Sequence, residues 1–212
     1  MIRFITGDST KLLAKFRDNS VDFVFFDPPY NVNKDYQTYK DNQTEPNYEI
    51  WMRYIIRQCQ RISRKGIAVY VGSKRTLLFW SLIPDARCII VRKGAISFPE
   101  PNQYFRQWCS LLVTRTPLKK CYDIWDGIRL PGEGYFFREQ RFKHPGFTPE
   151  KLVYTVLHTF TRQGETILDP FSGTGTTGIV AKKMKRNAIL IELNPAYTRM
   201  ARQRLKGANT NG

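Results

Sequence analysis

Cysteine and histidine are scarce in this chain of 212 residues, with four of the first and two of the second. Cys59, Cys88, Cys109 and Cys121 form no C-x-x-C pair, and only His144 and His158 stand beside them, so a metal cluster is not expected. Reduced cysteines of a cytosolic protein are the expectation. Long apolar runs are missing too. A stretch such as Leu77 to Ile83 is far too short to span a bilayer, which predicts no membrane partner. The opening residues, Met1-Ile2-Arg3-Phe4-Ile5-Thr6, lack the charged segment and apolar core of a secretory signal and read as a strand. Acidic residues are few, 18 against 34 Lys and Arg, for a net charge of +16. That excess suggests a polyanionic partner, nucleic acid first, with a basic surface that has no partner as the competing reading. No internal repeat or second hydrophobic core is evident, so one domain over residues 1–212 is expected.

What is present is enough for a full core: hydrophobic residues make up 42% and aromatics 14%, which excludes a disordered chain. The chain is organised around Asp27-Pro28-Pro29-Tyr30. These residues end the apolar run Val21 to Phe26, and two prolines forbid the strand from continuing. A carboxylate, two rigid carbonyls and an aromatic ring are thereby presented at a strand's carboxyl end, the edge of an open α/β sheet where ligands bind. A second stretch, Asp169-Pro170-Phe171-Ser172-Gly173-Thr174-Gly175-Thr176-Thr177, follows the short apolar run Thr166 to Leu168. We expect both stretches to face one pocket.

Strand, glycine turn, helix, strand and acidic residue is the plan of a nucleoside-binding βαβ unit. Gly173 and Gly175 let backbone approach a ligand, and Thr176 and Thr177 stand at a helix start whose N–H groups attract an anion. Glu192 closes the next strand, Ala188 to Ile191, where a carboxylate can accept from both ribose hydroxyls. A glycine turn alone serves equally as a tight strand–helix connection; the acidic residue at the right strand end favours the cofactor.

Elsewhere, residues 2–6 read as strand, with Ser9 or Thr10 capping a helix that carries Leu12, Leu13 and Phe16. The polar stretch from Asn31 to Asn47 is a loop beside the first motif, placed to act as a lid or to lie idle on the surface. Residues 48–63 show apolar side chains at helical spacing and are assigned to the core without function. Residues 66–72 are a buried strand. Residues 88–91 and 108–114 read as the antiparallel edge pair of a mostly parallel sheet. Between these two, residues 93–106, with Lys93, Asn102 and Arg106, suit contact with bases and phosphates or form a proline-structured surface loop. Residues 119–147 are irregular and basic, with Arg138 and Arg141 among the cations. They are the candidate for duplex contact outside the pocket. A helix from Pro149 to about Thr161 keeps His158 beside its apolar stripe, packed or solvated rather than catalytic.

The Asp27 and Asp169 motifs together, with Ser20-Val21-Asp22 and Ile191-Glu192-Leu193-Asn194-Pro195 in support, resemble the amino-group DNA methyltransferases that use S-adenosylmethionine. The likeness spans nearly the whole chain. The catalytic motif precedes the cofactor motif, as in the circularly permuted β group of that family. Methyltransferases of N2-guanine in RNA and of protein glutamine carry similar turns but generally in the other order.

The resemblance implies a doubly wound, mostly parallel, seven-stranded Rossmann-like sheet with an antiparallel edge strand. It implies a prokaryotic or phage-type cytoplasmic, intracellular enzyme, a monomer or homodimer, acting on double-stranded DNA, with single-stranded DNA as the alternative. It assigns catalysis to Asp27, Pro28, Pro29 and Tyr30. It assigns S-adenosylmethionine to Asp8, Asp169, Pro170, Phe171, Ser172, Gly173, Thr174, Gly175, Thr176, Glu192 and Asn194, with His144 and Phe147 completing the pocket. Asp8 is expected at the adenine, and Asp169 and Phe171 at the methionine part. DNA contacts fall to Lys34, Lys93, Asn102, Arg106, Arg138 and Arg141. His144 to Pro149 resemble a family segment whose lysine position is here Thr148, so any contact of that lysine with the cofactor's carboxylate is absent or supplied elsewhere. Asp27 at the first motif position goes mostly with N6 of adenine in this family, and a serine there often with N4 of cytosine. The alternatives are N4-cytosine transfer and a non-catalytic nucleic-acid-binding protein that keeps the fold.

Overall fold

The segment Phe23 to Phe26 has no polar alternation because both its faces are covered. In a computed structural model, which describes residues 1–34, 38–39, 41–93, 108–128 and 148–207, it supplies strand β2 (Phe23–Phe26), buried throughout. Phe23 and Phe25 pack into one core cluster, and Val24 and Phe26 into another on the opposite side. A parallel strand buried on both faces reads as a continuous apolar run for this reason.

The other strands are β1 (Ile2–Thr6), β3 (Ile67–Gly72), β4 (Arg87–Lys93), β5 (Trp108–Val113), β6 (Ile124–Ile128), β7 (Thr166–Asp169) and β8 (Asn187–Glu192). The described residues form one eight-stranded sheet in the order β1-β8-β7-β2-β3-β5-β4-β6. Strands β1, β8, β7, β2 and β3 are parallel neighbours, while β5 runs antiparallel to both β3 and β4. Helices α4 (Glu150–Phe160) and α5 (Thr176–Lys183) pack on the first cluster, and α2 (Glu45–Ile62) and α3 (Thr76–Leu82) on the second. Two further helices are the short α1 (Ser9–Leu13) and α6 (Pro195–Gly207).

Followed from β7 onward, the chain gives β7, β8 and then, across the permutation, β1, β2 and β3. In space β7 and β2 are neighbours, with Val24 opposite Leu168, and successive connections leave them in opposite directions. This is the topological switch point of a doubly wound sheet, where a crevice opens at the carboxyl ends of the strands. Asp169 closes β7 and Asp27 follows β2, so the two motifs stand side by side at that crevice.

Two expectations need correction. The sheet has eight strands among the described residues rather than seven. The added strand, β6, lies inside the stretch 119–147 read as irregular, and it pairs parallel to β4 outside the expected antiparallel β4–β5 pair. The reason is its composition, Ile-Trp-Asp-Gly-Ile: Asp and Gly are weak strand formers, and of the pair Ile124 and Trp125 only Trp125 is buried, where it packs against Phe160. The cap of α1 is Asp8, not Ser9 or Thr10; its carboxylate accepts the Thr10 N–H at 2.8 Å.

Candidate active site

A cavity of about 260 Å³ opens at the switch point, and both motifs line it. Asp27, Pro28, Pro29 and Tyr30 form one wall. Asp169, Pro170, Phe171, Ser172, Gly173, Thr174 and Thr176 form another, with Glu192 and Asp8 from the ends of β8 and β1.

Asp27 is held by hydroxyls. Tyr30 donates to its Oδ1, and Thr148 Oγ1 donates to its Oδ2 at 3.0 Å. Burial, with the Asp27 charge beside it, pushes the Tyr30 phenol well above its ordinary range, so it remains a neutral donor. The turn behind these groups is braced from α2 and from the 3-10 turn Ser73–Arg75. Tyr48 Oη donates to the Pro29 carbonyl at 2.8 Å, and Arg75 Nε to the Tyr30 carbonyl at 2.8 Å. Arg75 also lies over the Tyr48 ring and pairs with Glu45.

The glycine turn is tied to β8 by Glu192. Its Oε2 accepts the Gly173 N–H at 2.8 Å and its Oε1 the Asn194 N–H at 2.8 Å. Burial raises the Glu192 carboxyl above its usual range, against those two hydrogen bonds. Asp169 is buried more deeply, and burial pushes its carboxyl up to about 7 although Thr177 Oγ1 and the Phe171 N–H donate to it at 2.5 and 2.9 Å. Arg204 of α6 braces the turn from outside, donating at 2.8 Å to both the carbonyl and the hydroxyl of Thr174.

Two assigned residues do not line the cavity. Gly175, at φ 84°, is the left-handed residue before α5, and a Cβ there would come within 2.7 Å of the Ala201 Cβ, so it serves helix packing. Asn194 accepts the Ala196 N–H at 2.8 Å and thereby starts α6. His144, Phe147, Asn102, Arg106, Arg138 and Arg141 lie outside the described residues, as does the side chain of Lys93, whose backbone ends β4. Lys34 reaches the cavity, as do Thr38 and Tyr39 from the same loop.

That loop is organised by a residue the sequence did not single out. Asp41 is buried and its carboxylate accepts the N–H of Asn31 at 2.7 Å and of Val32 at 2.9 Å, while Asn31 exchanges hydrogen bonds with Gln43. The α2 face assigned wholly to the core also reaches the site: Trp51 lines the cavity, packs on Tyr39 and Phe171, and donates to Thr10. His158 stacks on Tyr154 beside Lys119, and does not line the cavity.

A family model described as DNA methylase, covering N6 and N4 methyltransferases, matches residues 21–85 and 100–203. The chain belongs to this family, the DNA methyltransferases that use S-adenosylmethionine as cofactor. The Type II methyltransferase M.HpaI of Haemophilus parainfluenzae is 25% identical over an alignment of 246 residues, which covers 96% of this chain and 74% of that protein. The DNA adenine methyltransferase YhdJ of Escherichia coli K12 is 26% identical over 245 residues, covering 97% of this chain and 83% of its own. The fold is shared with a DNA modification methylase of Thermus thermophilus complexed with S-adenosyl-L-methionine, at a TM-score of 0.72 and 22% identity, covering 100% of this chain and 96% of that one.

The cavity's donor set suits such a cofactor. Two carboxylates, the buried Asp169 and the half-buried Glu192, are both raised by desolvation and would be relieved by a ligand that brings positive charge or hydroxyl donors. Phe171 and Trp51 add flat apolar surface on the side where Asp8 stands. No helix among the described residues is long and apolar enough to cross a membrane.

Proposed function

We propose that this chain, acting as one domain, methylates N6 of an adenine turned out of duplex DNA into the cavity beside Asp27. The observation that carries this reading is the Asp27 carboxylate, braced at the end of β2 and facing the same cavity as the Gly173–Glu192 turn. An aspartate at this motif position favours adenine in the family it resembles, and one relative is named an adenine methyltransferase.

The exocyclic amine of adenine is a poor nucleophile because its lone pair is delocalised into the ring. Asp27 accepts one N–H and the Pro28 carbonyl the other, which draws the nitrogen toward tetrahedral geometry and frees the lone pair. S-adenosylmethionine supplies the electrophilic methyl carbon on its sulfonium. Glu192 holds the ribose hydroxyls, Asp8 faces the cofactor's adenine, and the turn Asp169 to Thr176 lies beneath the methionine part. A hydrogen bond to a charged group contributes about 1.5–3 kcal/mol, whereas fixing two reactants in line is worth up to about 7–11 kcal/mol. Positioning therefore dominates, which suits a turn built on two prolines and pinned by Tyr48 and Arg75. The Tyr30 ring stacks on the extruded base, and the loop bearing Lys34, Thr38 and Tyr39 closes over it, with DNA phosphates held by the remaining basic residues.

The test is methyl transfer from labelled S-adenosylmethionine to duplex DNA, followed by digestion to nucleosides. Label in N6-methyladenine is expected. Label in N4-methylcytosine would move the assignment to the other amine, and unlabelled DNA would overturn the activity.

A further inference from the structure

The residue at the family's lysine position does not face the cofactor's side of the cavity alone; it holds the carboxylate of the first motif. We propose that Thr148 is a positioning residue for Asp27, a role that rests on the proposed reaction. Its Oγ1 donates to Asp27 Oδ2 at 3.0 Å across 121 residues of chain, while the Tyr30 hydroxyl takes Oδ1. With one hydroxyl donating to each carboxylate oxygen, the plane of the group is fixed.

The contact is rigid at both ends. Asp27 leaves the fully buried strand β2 into two prolines. Thr148 precedes Pro149 and the first turn of α4, whose Leu152, Val153, Val156, Leu157 and Phe160 are all buried. Phe160, at the far end of α4, stacks on Phe23 at the start of β2, with centroids 6.3 Å apart. The helix therefore runs antiparallel to β2, and at a rise of about 1.5 Å per residue its eleven residues return the chain to the strand's carboxyl end. Thr148 arrives there because of the length and packing of α4. A threonine adds one further suitability: its branched Cβ restricts χ1, so the hydroxyl stays where the helix places it.

Thr148→Val keeps the shape and removes the donor; Thr148→Ser keeps the donor. Single-turnover methyl transfer at saturating cofactor and DNA should slow about 10- to 100-fold in Thr148→Val and stay within about threefold of wild type in Thr148→Ser. Cofactor affinity by calorimetry should be unchanged in both. Wild-type transfer in Thr148→Val, or equal losses in the two variants, would overturn the role. A wild-type protein that labels no DNA would sink the proposed reaction instead, and the contact is then read by NMR titration of 13C-labelled aspartate, with the Asp27 signal assigned by its loss in Asp27→Asn. Tyr30, Thr148, Asp169 and Tyr70 are among the described groups that face Asp27, and loss of the Thr148 donor should raise its pKa in Thr148→Val and not in Thr148→Ser. Superimposable titrations of all three proteins would refute the proposal on that arm.

Discussion

Two carboxylates near one another at the switch point are given opposite tasks by their surroundings. Asp27 accepts from two hydroxyls, and the proposed reaction requires it to act as an acceptor. Asp27→Asn retains shape but loses the charge and turns an amide N–H₂ toward the substrate amine. Transfer should fall by at least about 100-fold while cofactor affinity changes little, a loss confined to the chemical step; near-normal single-turnover rates in a folded variant would remove Asp27 from the mechanism. Asp169 is held up to about 7 by burial, with Asp27 and Glu192 adding to the effect. The unfolded value is about 3.9. A folded pKa above the unfolded one means that the native state binds the extra proton, so its stability declines as pH rises from about 4 to about 7. Asp169→Asn cannot titrate. Between pH 5 and pH 8 its stability relative to wild type should therefore improve by about 2.5 kcal/mol in urea unfolding. A difference independent of pH would show that Asp169 does not hold that proton.

At the scale of elements, the glycine turn separates what sequence reasoning reads easily from what it does not. Gly173 and Gly175 look alike in the motif, yet Gly173 lines the cavity and Gly175 packs against Ala201 of α6. Gly175→Ala combines a left-handed φ with a 2.7 Å contact, and should cost about 2–4 kcal/mol in chemical unfolding. A loss below about 1 kcal/mol would mean that α6 shifts freely. The strands with unbroken apolar runs, the order of the two motifs and their meeting at one cavity were legible because burial on both faces and proline breaks leave marks along the chain itself. Strand β6 was not, since of the adjacent Ile124 and Trp125 only Trp125 is buried, and Asp126 and Gly127 are weak strand formers. Nor were Asp41, Arg75 and Thr148. Each acts by a side-chain hydrogen bond to a residue that the sequence leaves 9 or more positions away, and no local pattern records such a partner.

The whole molecule carries 34 basic against 18 acidic residues. Binding to duplex DNA should weaken steeply with salt, each phosphate contact adding about −0.9 to the slope of log affinity against log salt, for a total steeper than about −3. A fluorescence-anisotropy series from about 50 to about 300 mM salt measures it, and a slope near zero would assign the charge elsewhere. The same whole-molecule view gives the permuted sheet a meaning in time. Strands β1 and β2 are synthesised early, yet β7 and β8, which stand between them, emerge after all the other described strands. Until residues 166–192 leave the ribosome, the early strands face a gap two strands wide, with unpaired backbone edges on both sides of it. The final insertion closes contacts between the most distant parts of the chain, the kind that slows folding. The crevice between β7 and β2 is then among the last features of the sheet to exist, and Glu192, which ends β8 and ties the glycine turn, reaches it only when the gap closes.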